Sequence, residues 1–395
     1  MGLTFSDQCC DAYVYLNNAS YCAVSGHCWN DMRPIGSALY LSLPLRFGLP
    51  ADYIIISNFL LITASIVLSG LAVGEMVPEF KRNGAGPLRK WLYLTMIHMI
   101  FMLGDARTAL LDVPAACLAL AGVWLFIMGS YRSRAWMLWI SGLALGLSAF
   151  IRAFYLYPAL LTLSALIFIH IKFKISTNPA VAGFAIFLLA PVFFQFNATH
   201  EHTGHWTFLN KESTAYWANE HFKKPLYGYD TYVKNGGEGM QPYDAAGCFG
   251  GESGIKGAVE NMDIYGIACL VLKRQVFLFG SYADQTYIST PRGRTFSVWI
   301  AVLHTAAMVF AFVGILYSEM RKSFIVPLLL IGAIWAEGSL IVPETRFIMV
   351  LYVFIWVIGL ASAAHYAGRI VQYWGGLDSQ PKLKDELDGE PHASN

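Results

Sequence analysis

Residues 52–74 read DYIIISNFLLITASIVLSGLAVG, with one charged residue, at the very start. About 20 consecutive apolar residues are what a helix needs to cross the hydrocarbon core of a bilayer. The same reading repeats along the chain. Nine apolar stretches fall at about 52–74, 91–104, 110–129, 135–151, 153–171, 179–196, 297–317, 323–342 and 346–367. Across all 395 residues, 56% are hydrophobic and 13% charged, against roughly 25% charged in soluble domains. So little charge cannot cover the surface of a water-soluble protein this size. The expected fold class is an all-α polytopic membrane protein. The net charge of +1 leaves no broad basic footprint, so nucleic acid is not an expected partner. Membrane lipid is.

The basic residues orient the spans. Lys81, Arg82, Arg89 and Lys90 separate the first two stretches, and Arg132 and Arg134 the third and fourth. Lys172 and Lys174 separate the fifth and sixth, and Arg321 and Lys322 the seventh and eighth. Arg369, Lys382 and Lys384 follow the ninth. Every second connection is basic and is expected in the cytoplasm. The alternate set, with Asp105, Asp112, Glu344 and the long segment 197–296, is expected to face outward.

The domain plan follows. Residues 1–51 form an outward acidic segment ending in an interfacial helix, because the apolar run 35–49 is broken by Pro44 and too short to span. Residues 52–196 hold six spans, 197–296 a large outward loop domain, 297–370 three further spans, and 371–395 a disordered cytoplasmic tail. The run 264–280 reads as a second interfacial helix, interrupted by Lys273 and Arg274. No signal peptide precedes residue 52, so either the N-terminus translocates unaided or a first span is missing. Cys9, Cys10, Cys22, Cys28 and Cys248 fall in outward segments, and Cys117 and Cys269 in apolar ones. Five outward cysteines permit two disulfides in an oxidising compartment, or none.

The ionisable groups collect on one face, at span ends. They are Asp7, Asp11, Arg33, Asp105, Arg107, Asp112, Arg152, Lys273, Arg274, Glu344 and Arg346. Charges at a membrane edge are costly and therefore functional candidates, although each alone also reads as a snorkelling interfacial side chain. A carboxylate there can deprotonate an acceptor hydroxyl. Arginine and lysine can hold a phosphate as it leaves. A sugar carried on a polyprenyl phosphate presents its reactive carbon at that depth. His200, His202 and His205 could in principle share a zinc ion, but loop histidines more often line a polar cleft, and no metal or other cofactor is expected.

The order of motifs resembles the GT-C glycosyltransferases, the superfamily of the protein O-mannosyltransferases and the lipid A aminoarabinose transferases. Asp11-Ala-Tyr-Val-Tyr15, then Ala19 and Arg33-Pro34, is similar to their first outward loop. Leu111-Asp112-Val113-Pro114 looks like their second acidic loop, and Gly146-Leu-Ser-Ala-Phe-Ile-Arg152 like a small-residue helix ending in arginine. Pro343-Glu344-Thr345-Arg346-Phe347 resembles their late Glu-x-Arg-Tyr element, with phenylalanine for tyrosine.

The resemblance implies an inverting transfer from a polyprenyl-phosphate sugar to a glycan, lipid or protein acceptor. It implies Asp11 as general base, Asp112 as second acid and Asp7 as a competitor for the base role. Arg346, Arg152, Lys273 and Arg33 would hold the donor phosphate, and Glu344, Tyr15, Asp105 and His205 would contact substrate. The setting implied is a bacterial inner membrane with the site facing the periplasm. The competing readings are an O-antigen polymerase or ligase, and a transporter or lipid flippase.

Overall fold

In the computed structural model, the described residues are 11–30, 33–76, 85–106, 111–173, 178–210, 264–269, 271–272, 291–318, 320–340 and 348–378. All regular structure among them is helical. Two short helices come first, α1 (Asp11–Ser25) and α2 (Ile35–Arg46). Nine longer elements follow: α3 (Ile54–Met76), α4 (Ala85–Ala106), α5 (Asp112–Tyr131), α6 (Ala135–Ile151), α7 (Leu156–Phe173), α8 (Asn178–Thr203), α9 (Pro291–Tyr317), α10 (Ile325–Leu340) and α11 (Met349–Asp378).

The described part of each of the nine apolar stretches therefore falls in helical structure. Six helical segments are long and apolar enough to cross a membrane: Ala51–Met76, Asp112–Tyr131, Ala153–Lys172, Asn178–Thr203, Arg321–Ser339 and Met349–Ala367. The apolar helices Ala135–Ile151 and Val302–Tyr317 are shorter. In α4 the apolar centre is confined to 91–104, between Lys90 and Asp105. The chain is an all-α, multi-pass membrane protein. Several helix ends differ from the sequence reading, the start of α4 at Ala85 rather than 91 among them. α8 continues past residue 196 to Thr203, α9 begins at Pro291 rather than 297, and α11 runs to Asp378, beyond residue 370.

α5 is the centre of the bundle. Its span is 83% buried, against 39–67% for the other five. It packs on α3, α6, α10 and α11. Apolar burial cannot hold helices together against lipid, so packing and interhelical hydrogen bonds must. Both are visible. The hydroxyls of Ser141 and Ser148 on α6 donate to the α5 carbonyls of Gly122 (2.7 Å) and Ala115 (2.8 Å). Trp124 of α5 stacks on Phe354 of α11, ring centroids 5.5 Å apart. On its other side α6 meets α8 through Gly142 and Gly146, where a Cβ would overlap the carbonyl oxygens of Phe184 and Leu188. This is the small-x-x-x-small spacing that lets backbones touch.

α5 also measures the two ends of the bundle. Its 20 residues span about 30 Å at 1.5 Å per residue, with Asp112 at one end and Arg132 just past the other. Arg132 pairs there with Glu75, in the last turn of α3. At the Asp112 end lies the α1–α2 hairpin, in which a Cys22–Cys28 disulfide ties the end of α1 to the loop that follows it. Cys269, read above as a cysteine of an apolar stretch, is disulfide-bonded too, to a partner outside the described residues. Cys117 is a buried free thiol.

Candidate functional site

Asp112 opens α5. Its carboxylate sits in the first turn, where the unpaired N–H groups and the helix dipole favour negative charge. Pro114 fits the same turn because an N–H there needs no intrahelical acceptor. α6 ends at Ile151, and Arg152 adopts an extended conformation (φ −136°, ψ 112°) before a 3-10 turn at Ala153–Tyr155 leads into α7. That break aims the arginine back at α5. Its Nε lies 3.0 Å from Asp112 Oδ1. The N–H is not aligned on that oxygen, so the contact is coulombic rather than a hydrogen bond. Both groups are enclosed, with side chains 1% (Asp112) and 9% (Arg152) exposed.

The other face of the guanidinium is taken by α1. Arg152 Nη1 donates a short hydrogen bond to the hydroxyl of Tyr15, which is itself buried. Arg33 lies over the Tyr15 ring, 5.1 Å from its centroid. Asp112, Arg152, Tyr15 and Arg33 thus form one chain of contacts built from four separate segments. Asp11 stands at the first residue of α1, one helical turn before Tyr15 and on the same face by register.

Two polar ties hold this arrangement in place. Gln195 of α8 accepts from the Ile35 N–H (2.8 Å) and donates to the Phe208 carbonyl (2.9 Å). It fixes the start of α2, two residues after Arg33. Asn58 of α3 donates to the carbonyl of Ala106 at the end of α4 (3.0 Å) and accepts from the Tyr40 hydroxyl of α2 (2.8 Å). Burial pushes the Tyr40 phenol well above its ordinary pKa, so it stays a donor.

Tyr155 and Glu337 extend the cluster beyond the residues read from sequence. Tyr155 is buried in the 3-10 turn that directly follows Arg152. Glu337 sits in the last turn of α10, which packs on α7. Its Oε2 is enclosed and has no hydrogen-bond partner among the described residues. A lone acid inside the apolar run IWAEGSL (334–340) was the available signal for it.

The remaining predicted residues divide in two. Asp105 ends α4, on the backbone that Asn58 secures, but its side chain is outside the described set, as is that of Asp11. Asp7, Lys273, Glu344 and Arg346 lie outside the described residues altogether. His205 is exposed in the turn after α8, its N–H bonded locally to Thr203 Oγ1. His200 stacks on Trp206 (4.3 Å) and His202 on Trp29 (4.7 Å). Among the described residues no three His, Cys, Asp or Glu side chains converge on a point where a metal would sit.

Set against protein-family models, curated proteins and solved structures, the chain matches none.

Proposed function

We propose that the chain is an inverting glycosyltransferase, moving a sugar from a polyprenyl-phosphate donor to a hydroxyl of a glycan, lipid or protein. The observation that carries this reading is the contact chain Asp112–Arg152–Tyr15–Arg33 at one end of the bundle. A soluble sugar nucleotide needs no membrane-edge site. A donor with an isoprenoid tail does, and its phosphate would reach the depth of these arginines. The reading also uses the Asp11 register, one turn from Tyr15.

In the proposed step the Asp11 carboxylate takes the proton of the acceptor hydroxyl. The acceptor oxygen attacks the anomeric carbon from the face opposite the phosphate. The bond from that carbon to the phosphate oxygen breaks, and its electron pair leaves on the polyprenyl phosphate, with one inversion. Arg33, half-buried, would stabilise the growing phosphate charge directly, with the enclosed Arg152 adding its field from behind Tyr15. Asp112 is too enclosed to meet an acceptor, so its part is to hold Arg152 in place. The setting fits a bacterial inner membrane with this end facing the periplasm. The Cys22–Cys28 disulfide in the hairpin at this end supports an oxidising side.

The test is purified protein in lipid nanodiscs with a panel of polyprenyl-phosphate sugars, reading out lipid consumption and anomeric configuration. One lipid should be consumed with inversion. Asp11→Asn should lower turnover by about 10²–10⁴-fold, as loss of a general base does, with donor binding kept. Consumption of no lipid by the wild-type protein, or unchanged turnover in Asp11→Asn, would refute the assignment at its respective level.

A further inference from the structure

The Cys22–Cys28 disulfide stands in unusual company. Nη2 of Arg46, in the last turn of α2, lies 3.3 Å from Cys22 Sγ, 3.2 Å from Cys28 Sγ and 3.4 Å from the Cys22 carbonyl oxygen. Ser42 Oγ is 3.4 Å from Cys22 Sγ. The two sulfurs are unequal. Cys22 is fully buried between α1 and α2, whereas Cys28 is partly exposed in the loop that follows α1. Neither Arg46 nor Ser42 has a place in the transfer proposed above.

A cation beside a disulfide does nothing for the neutral bond but stabilises the thiolate formed when it opens. Exchange is faster when the departing sulfur is the better leaving group. Burial protects Cys22 from attack and leaves Cys28 as the sulfur a thiol can reach. The departing Cys22 thiolate then forms against the Arg46 guanidinium, which compensates a charge that would otherwise be costly to enclose.

We infer that Cys22–Cys28 is a thiol–disulfide exchange site, activated by Arg46 and opened from the Cys28 side by a thiol or dithiol reductant. The step balances. The reductant thiolate attacks Cys28 Sγ, the sulfur–sulfur bond breaks, and its electron pair passes to Cys22 Sγ, leaving a mixed disulfide on Cys28. The second thiol of a dithiol then displaces Cys28, and the reductant ends as its own disulfide. The hairpin is reduced by two electrons. The ring so opened joins the end of α1, the helix that carries Asp11 and Tyr15, to the loop leading to Arg33, so exchange would reach the candidate site through α1. The exchange chemistry itself does not depend on what that site does.

The experiment uses the full chain in nanodiscs. Reduction by dithiothreitol is followed by quenching with a maleimide and mass mapping of the modified cysteines. Arg46→Gln should slow opening on the order of tenfold, the effect of removing a cation within a few ångströms of a forming thiolate. Arg46→Lys should keep most of the wild-type rate. With a monothiol such as 2-mercaptoethanol, the first adduct should appear on Cys28 and the maleimide on Cys22. Buried Cys117 reports on folding, since it labels only if the bundle opens. Equal rates in wild type and Arg46→Gln, with Cys117 unlabelled in both, would overturn the inference. So would a first adduct on Cys22. If Arg46→Gln labels at Cys117, the adduct position in the wild-type protein decides alone.

Discussion

An arginine buried among helices is tolerated only while something answers its charge. Asp112 does so for Arg152 at 3.0 Å, and the Tyr15 hydroxyl fills a further donor. Removing one partner of such a pair leaves the other uncompensated, at a cost of about 3–5 kcal/mol. Asp112→Leu should therefore lower the unfolding midpoint sharply, and the double variant Asp112→Leu/Arg152→Leu should recover much of the loss, as read by thermal unfolding in detergent. Glu337 supplies the opposite case. It has no ion-pair partner among the described residues, so converting its acid to an amide removes no ion pair. Glu337→Gln should leave the midpoint within about 0.5 kcal/mol of wild type, while the corresponding change Asp112→Asn lowers it. The four contacting residues were legible in the sequence because each sits in a short pattern: Tyr15 four after Asp11, Arg33 before Pro34, Asp112 before Pro114, Arg152 closing a small-residue helix. Glu337 and Gln195 have no such company. A single polar residue in an apolar run shows that it needs a partner but not which one.

At the scale of elements, the decisive contact is glycine on carbonyl between α6 and α8. It brings Gln195 of α8 within reach of α2, while Gly36 of α2 lies against the Phe150 carbonyl near the end of α6. Gly146→Leu should push α8 away, cost about 1–3 kcal/mol or more as an overpacked contact does, and lower the proposed transfer by displacing Arg33. Gly332, where a Cβ meets nothing within 4 Å, is the control, and Gly332→Ala should leave the thermal midpoint within about 0.5 kcal/mol of wild type. The histidine segment shows what periodicity could not reveal. With α8 read as ending at residue 196, His200, His202 and His205 looked like one loop cluster. α8 runs on to Thr203. At 100° per residue His200 and His202 then leave the helix on different sides, one toward Trp206 and one toward Trp29.

At the scale of the molecule, one helix organises the rest. Hydropathy located the nine longer helices among the described residues, six of them long enough to span, because lipid imposes a length that sequence must meet. It could not show that α5 is the buried one, since a helix apolar all round reads alike whether protein or lipid surrounds it. The two ends of α5 also differ in chemistry: Arg132 with Glu75 at one, Asp112 with Arg152 at the other. Single cysteines introduced at Ser133 and at Asn30, in a background lacking the native cysteines, should label with a membrane-impermeant maleimide from opposite sides of sealed vesicles. Labelling from the same side would contradict the arrangement of the bundle in the membrane.

The Asp112–Arg152 pair bears, finally, on how the chain enters the membrane. α5 and α6 form a helical hairpin joined by a tight turn at Arg132–Arg134, in which Ser133 takes a positive φ of 54°. The paired charges stand together at its far end. Inserted singly, each helix would carry an unanswered charge at its tip, at some part of the roughly 2.5–3.5 kcal/mol that such a charge costs at the centre of the bilayer. Inserted together, the two helices carry a neutral tip, with the Ser141 and Ser148 hydroxyls already bonded across. The unit of integration is then the hairpin rather than the helix, and a variant that breaks the pair should reach the membrane in lower yield, besides being less stable once folded.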